Sequence, residues 1–291
     1  MSIQLTNVTY TYMPGTPYEQ SALKTVNLTI EKGEFVGVIG HTGSGKSTLI
    51  QHMNGLLQPT IGTVTLDGID LKTKTKAARE ARHHVGMVFQ YPEHQLFEET
   101  VAADIAFGPR NLGLSASEVE ERVHYAMDFV NLDYDTFALR SPFALSGGQM
   151  RRVSIAGVMA LKPDYLILDE PSAGLDPGGR KEIFEEIVKY YESAKITIIL
   201  VSHNMDEIAQ VANRLIVMDQ GNILIDGSPA HVFGKERHKL HQAGVDVPPI
   251  TALMTQLAAK GLAVDSSLIR IDDAVQNICQ ALAVKEGHHA Q

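Results

Sequence analysis

Apolar and polar residues alternate one by one through "IQLTNVTYTY" and again through "LKTVNLTI", which predicts two half-buried strands near the N-terminus. "GTVTLDG" alternates likewise and ends on an Asp-Gly turn signal, so this part of the chain reads as hairpin-like antiparallel β structure. A different pattern interrupts it. "FVGVI" is a continuous short apolar run, as expected for a strand covered on both faces, and a helical pattern opens at Gly45 with Leu49, Ile50 and Met53 on one side. From about Glu93 to Ala160 the period is mostly helical. There "SASEVEERVHYAMDFV" begins on Ser, carries Glu in its first turn and spaces Val119, Val123, Ala126 and Val130 at three or four.

Buried strands return at "YLILD" (165–169) and "ITIILVSH" (196–203), with a helix between them that sets Phe184, Ile187, Val188 and Tyr191 on one face. "RLIVMDQGNILIDG" reads as a hairpin turning at Gln220-Gly221. Buried strands alternating with amphipathic helices imply an α/β fold with a largely parallel sheet covered by helices, carrying an antiparallel β portion. After "DGSP" the pattern changes to a small, mainly helical appendix that includes "ALMTQLAAKG" and "IDDAVQNICQALAV". The expected division is 1–228 for the main domain, with a helical lobe at about 91–160, and 229–291 for the appendix.

With 44% hydrophobic and 20% charged residues among 291, the composition is that of an ordinary globular protein. Acidic residues outnumber basic ones by 34 to 25, giving a net charge of −9, and no long basic block appears. Nucleic acid is therefore not the expected partner. A single cysteine, Cys279, allows no internal disulfide. Neither a signal peptide nor a long apolar span is visible, so a cytosolic chain that meets the membrane through a partner is expected.

"GHTGSGKST" follows the first buried strand and matches the pattern G-x-x-x-x-G-K-[ST] through Gly40, Gly45, Lys46 and Ser47. Glycines let backbone N–H groups converge on a phosphate chain at a helix N-terminus, whose dipole favours anions. Gly40, His41, Thr42, Gly43, Ser44, Gly45, Lys46, Ser47 and Thr48 are thus the expected cradle. Lys46 would reach the β/γ-phosphates, and Ser47 would be a Mg²⁺ ligand. "YLILDE" delivers Asp169 and Glu170 at the C-terminal end of a strand, where ligands sit in open α/β sheets. Asp169 would hold the metal and Glu170 would polarise the attacking water. "LSGGQ" opens another helix and is a second anion-binding geometry. One nucleotide site has no evident use for two cradles, unless the second serves another subunit.

Taken together, "GHTGSGKST", the glutamine of "VFQYPE", "LSGGQ", "LILDEPSAGLD" and the histidine of "VSHNMDE" resemble, in order, the ATP-binding cassette (ABC) ATPases over about residues 1–228. The resemblance implies a P-loop ABC ATPase that binds ATP and Mg²⁺. By that likeness Gln90 would touch Mg²⁺ and the attacking water, and His203 would contact the γ-phosphate. Tyr12 would stack on adenine, with Tyr10 as the alternative. Ser146, Gly147, Gly148 and Gln149 would close on ATP bound to the opposite subunit, and Asp176 would sit at the dimer seam. The remaining histidines, including His83-His84 and His288-His289, lack metal-ligand spacing and are expected at the surface.

"FQYPEHQLFEETVAADIAFGPRNLGL" resembles the ATPase subunits of energy-coupling factor (ECF) transporters of the cobalt and vitamin type, and "YMPGTPYEQSALKTVNLTI" resembles the insertion of one of their two paralogous ATPases. "VPPITALMTQLAAKG" resembles the tail by which those ATPases associate. That likeness implies a second ABC ATPase subunit, in a heterodimer or else a homodimer. It also implies a transmembrane coupling subunit, a substrate-binding membrane protein reached indirectly, and a peripheral position on the cytoplasmic face of the membrane. Leu96, Phe97, Val101, Ile105 and Phe107 would line the docking groove, with Glu98, Glu99 and Asp104 facing basic residues. The alternatives are the ATPase of a conventional ABC importer or exporter and, from another class, a nucleic-acid-associated ABC ATPase.

Overall fold

The computed structural model describes residues 1–194 and 196–289, with side chains over 1–193 and 196–283. The pair His288-His289 lies outside the residues whose side chains are described. The chain opens with strands β1 (Ser2–Tyr12), β2 (Gln20–Glu31) and β3 (Phe35–Ile39), then helix α1 (Lys46–Met53). Strands β4 (Ile61–Leu66) and β5 (Ile69–Asp70), helix α2 (Lys76–His83) and strand β6 (Val85–Val88) follow. Helices α3 (Val101–Asn111), α4 (Ala116–Phe129), α5 (Tyr134–Phe137) and α6 (Gly147–Met159) make a helical lobe. Strand β7 (Tyr165–Asp169), helix α7 (Pro177–Ala194), strand β8 (Thr197–Val201) and helix α8 (Met205–Val211) return to the sheet. The hairpin of β9 (Arg214–Asp219) and β10 (Asn222–Gly227) precedes four helices: α9 (Pro229–Lys235), α10 (Arg237–Gln242), α11 (Pro249–Ala259) and α12 (Ile271–His289).

Two sheets result. Antiparallel strands order as β2-β1-β4-β5, and a six-stranded sheet orders as β10-β9-β3-β8-β7-β6. In the second sheet every pairing is parallel except β9 with β10, whose two-residue turn has positive φ at both Gln220 and Gly221. The buried runs explain this arrangement. On β3, Phe35 and Ile39 point into one core with the helices of the lobe, while Val36 and Val38 point into another with the antiparallel sheet and α1. Each such Val, Ile or Leu contributes about 1.5–3 kcal/mol on full burial. The scaffold under the strand ends is therefore rigid.

The expected helix caps are present. Ser115 and Glu118 form a reciprocal capping box on α4, and Val119, Val123, Ala126 and Val130 are all buried. On α7 the buried face differs slightly from the expected one. Phe184 and Ile187 are buried, but Ile183 and Tyr190 complete the face, while Val188 and Tyr191 are half-buried. Tyr191 instead sends its hydroxyl to the Gly33 carbonyl at 2.8 Å. Beyond residue 228, Val232, Phe233, Leu240 and Ala243 join the core of the lobe and sheet.

The segment after Gln90 departs from its expected disposition. Leu96, Val101 and Ile105 are buried inside the lobe and cannot line an open groove, whereas Phe97 and Phe107 are exposed and meet edge to face at 4.8 Å. Asp104 turns back on its own chain and accepts from the N–H groups of Phe97 and Glu98 at 3.0 and 2.9 Å. Its carboxylate is used to hold the loop.

Candidate active site

Because β3, β6, β7 and β8 run parallel, their C-terminal ends share one edge of the sheet. That edge collects the loop after β3, Gln90 beyond β6, Asp169-Glu170 at the end of β7, and His203 beyond β8. Gly40 through Gly45 form the loop that enters α1. At Gly40 (φ 154°) a Cβ would lie 2.3 Å from the Met218 carbonyl oxygen, and at Gly45 (φ 104°) one would lie 2.6 Å from that of Ala22. Only glycine fits either position. Gly45→Ala is expected to cost about 1–3 kcal/mol through backbone strain, read as a lowered melting temperature with weakened nucleotide binding. An unchanged melting temperature would mean that the loop relaxes freely.

Lys46 is buried and donates from Nζ to the carbonyls of Gly40 and His41 at 2.7 and 3.0 Å. Burial lowers its pKa, and the charges of Glu170 and Asp169 pull it back up. The expected cradle is not uniform. Thr42, Gly43 and Ser47 are exposed, but the Ser44 side chain is fully buried and its hydroxyl has no hydrogen-bond partner among the described residues. Its N–H is spent on the His41 carbonyl at 3.1 Å. His41 contacts the Thr42 carbonyl at 2.7 Å and Asp219 at 3.1 Å.

Glu170 is held at both oxygens. Gln90 Nε2 donates to Oε2 at 2.8 Å, and His203 Nε2 lies 2.9 Å from Oε1. Its backbone adopts positive φ (50°) directly after Asp169, the last residue of β7. Asp169 is buried, and its pKa is raised by that burial and by the Glu170 charge, against the hydrogen bond from Ser47 and the charges of Lys46 and His203. A crowded carboxylate pair with a serine hydroxyl suits a small, hard cation such as Mg²⁺, which takes oxygen ligands. Among the described residues no group of three His, Cys, Asp or Glu side chains can hold a metal ion. A cation here would draw most of its ligands from phosphate and water.

The tyrosines separate clearly. Tyr10 packs edge to face on His52 and on Tyr12, whereas Tyr12 is 38% exposed and its hydroxyl lies 3.2 Å from that of Thr48 at the start of α1. Tyr12 is the more exposed of the two. Ser146 caps α6, its hydroxyl accepting from Gln149 N–H while Gln149 reaches back to the Ser146 N–H. A Cβ added at Gly147 or Gly148 would meet nothing within 4 Å. The chain itself does not require glycine there. Asp176 accepts from Gly179 N–H at 2.9 Å and so caps α7.

One buried residue of the site has no signal in the sequence. Arg151, only 2% exposed, joins Glu93 to the carbonyls of Pro171 and Ala173. Its charge and its place beside Arg152 carry no signal of burial.

The sequence profile of the ABC transporter family matches residues 23–173. The chain is 52% identical over 282 residues to the energy-coupling factor transporter ATP-binding protein EcfA2 of Clostridium acetobutylicum, covering 97% of this chain and 98% of that one. It belongs to the ECF transporter ATP-binding proteins of the ABC family. The Clostridium perfringens member of the same name is 50% identical, with 97% and 99% covered. Both carry the designation of the second ATPase paralogue, in agreement with the resemblance of the N-terminal insertion. Among solved ABC structures, cbiO1 from Clostridium perfringens, described as part of the complex cbiONQ, superposes with a TM-score of 0.71 at 35% identity, covering 82% of this chain and 94% of that one. The ATP-binding cassette MJ0796, a dimer in a post-hydrolysis state with ADP and Pi, gives 0.70 at 30% identity, covering 78% and 98%. The mixed sheets, lobe and C-terminal helices are thus those of an ABC ATPase.

Proposed function

We propose that this ABC ATPase is the ATP-hydrolysing subunit of an ECF importer, driving uptake of vitamins or transition-metal ions through a membrane-embedded partner. The observation that carries the reading is Glu170 fixed between Gln90 and His203 beside Lys46's loop. Backbone N–H groups of the loop and Lys46 hold the triphosphate, and Tyr12 stacks on adenine. Glu170 orients and polarises the attacking water, with Gln90 fixing its carboxylate and His203 contacting the γ-phosphate. Ser47, Asp169 and Gln90 would hold Mg²⁺, which supplies neutralisation of phosphate charge when bound with nucleotide.

Two ATPase subunits meet head to tail, so that each LSGGQ covers the other's nucleotide. The open space over Gly147 and Gly148 and the dimeric state of MJ0796 support this. A heterodimer with a second ABC ATPase fits the paralogue designation. Residues 1–228 act as the nucleotide-binding unit, with Asp176 at the seam, and 229–291 assist association. No helix among the described residues is long and apolar enough to cross a membrane. The proposed role in an ECF importer puts the chain peripherally at the cytoplasmic face, bound to a transmembrane coupling subunit that moves a substrate-binding membrane protein.

Docking uses exposed Phe97 and Phe107 with Glu98 and Glu99 beside them. Reversing Glu98 and Glu99 to Lys together is expected to spare basal ATP hydrolysis and abolish co-purification with a polytopic membrane subunit. Intact co-purification and uptake in the double variant would move docking elsewhere.

A further inference from the structure

Arg151 lies in the second turn of α6, the helix opened by LSGGQ, and is among the largest fully enclosed side chains of the chain. A guanidinium has five N–H donors in a fixed plane, and an enclosed one must satisfy them. Nε and Nη2 both donate to Glu93 Oε2, at 3.4 and 3.3 Å. Nη1 donates to the Pro171 carbonyl at 3.0 Å and also to that of Ala173. These partners are not arbitrary. Glu93 sits on the short turn Pro92–Gln95, three residues after Gln90, and Pro171 directly follows Glu170. The two segments whose Gln90 and Glu170 meet in the 2.8 Å hydrogen bond are thus also joined, just beyond those residues, through Arg151.

A second contact fixes the same turn to α6: Ser154 Oγ donates to the Pro92 carbonyl at 2.8 Å. Among the described residues, however, Arg151 is the one α6 side chain hydrogen-bonded to both catalytic loops. We infer that Arg151 is a positioning residue that sets the Gln90–Glu170 geometry and ties it to the signature helix. Engagement of Ser146 by a nucleotide on the partner would then reach this chain's own Glu170 through one rigid side chain. The inference rests on the proposed ATPase site and deepens it, because it names the path by which one site's occupancy conditions the other's turnover.

The test uses the full-length chain in the same assembly as the wild type, measuring kcat, ATP KM and equilibrium binding of a fluorescent ATP analogue. Arg151→Gln is expected to lower kcat by roughly 10–100-fold, as for a small misplacement of a reacting group, with KM and affinity held within about threefold. Arg151→Lys keeps the charge but cannot span Glu93 and two carbonyls, so it should show a similar loss. Glu93→Gln should also lower kcat, and the Arg151→Gln/Glu93→Gln double variant should be no slower than the worse single one, since both act through one contact. A lowered melting temperature with normal kcat per folded molecule would overturn the inference, as would full rescue by Lys or multiplicative losses in the double variant. Failure of the wild type to bind and hydrolyse ATP would instead count against the reading of the site itself.

Discussion

Glu170→Gln is expected to bind ATP and to turn it over roughly 10²–10⁴ times more slowly, the range for losing a positioned general base. The substitution keeps side-chain volume and leaves an acceptor for Gln90 Nε2, now 2.8 Å from Oε2. What disappears is the negative charge facing His203 at 2.9 Å and available to polarise water. The same change removes the like charge that helps raise the Asp169 pKa, so Asp169 becomes the better anion and metal ligand. Lys46 loses one of two carboxylates that favour its charged form, a smaller effect than the burial opposing it. Binding should therefore survive while chemistry fails, and ATP should trap the closed dimer. Single-turnover hydrolysis and size-exclusion chromatography with ATP read both consequences. Near-normal turnover would remove Glu170 from the catalytic role.

The parts of this site visible in the sequence are those whose chemistry is local. Gly45 must be glycine because of the backbone it adopts, and the run "YLILD" ends at Asp169 because a strand buried on both faces stops where polar residues begin. The turn at Gln220-Gly221 is fixed by its two positive φ angles. Long-range partners are another matter. Arg151 reaches Glu93 across 58 residues, and nothing in "MRRV" tells which of its two arginines is enclosed.

The groove segment shows a second limit. Helical spacing says that Val101 and Ile105 are covered, but not whether their own lobe or a partner covers them, and their own lobe does. By sequence Asp104 reads as surface charge, because its use by the Phe97 and Glu98 N–H groups depends on a loop folding back over the start of α3. Ser44 belongs to a motif that faces phosphate, and its spacing gives no sign that its hydroxyl is buried against Gly40. Tyr10 and Tyr12 are alike in type, and only the fold shows that Tyr10 packs on His52 and is the less exposed of the two.

Ser146→Arg tests the composite site directly. Ser146 is exposed at the start of α6, with open space over the following two glycines. An arginine there places a bulky cation where the partner's nucleotide must dock. Losing the cap costs only about 1 kcal/mol, so the chain should still fold. The decisive measurement is nucleotide occupancy and trapping at each site of a dimer carrying the substitution in this chain alone, with occupancy rather than turnover as the readout. Loss of trapping at the site built on the partner's P-loop, with ATP retained at the site containing this chain's Lys46, is the predicted result. Loss of ATP at the mutant chain's own P-loop would contradict the head-to-tail arrangement, and with it the reason this chain carries two phosphate cradles.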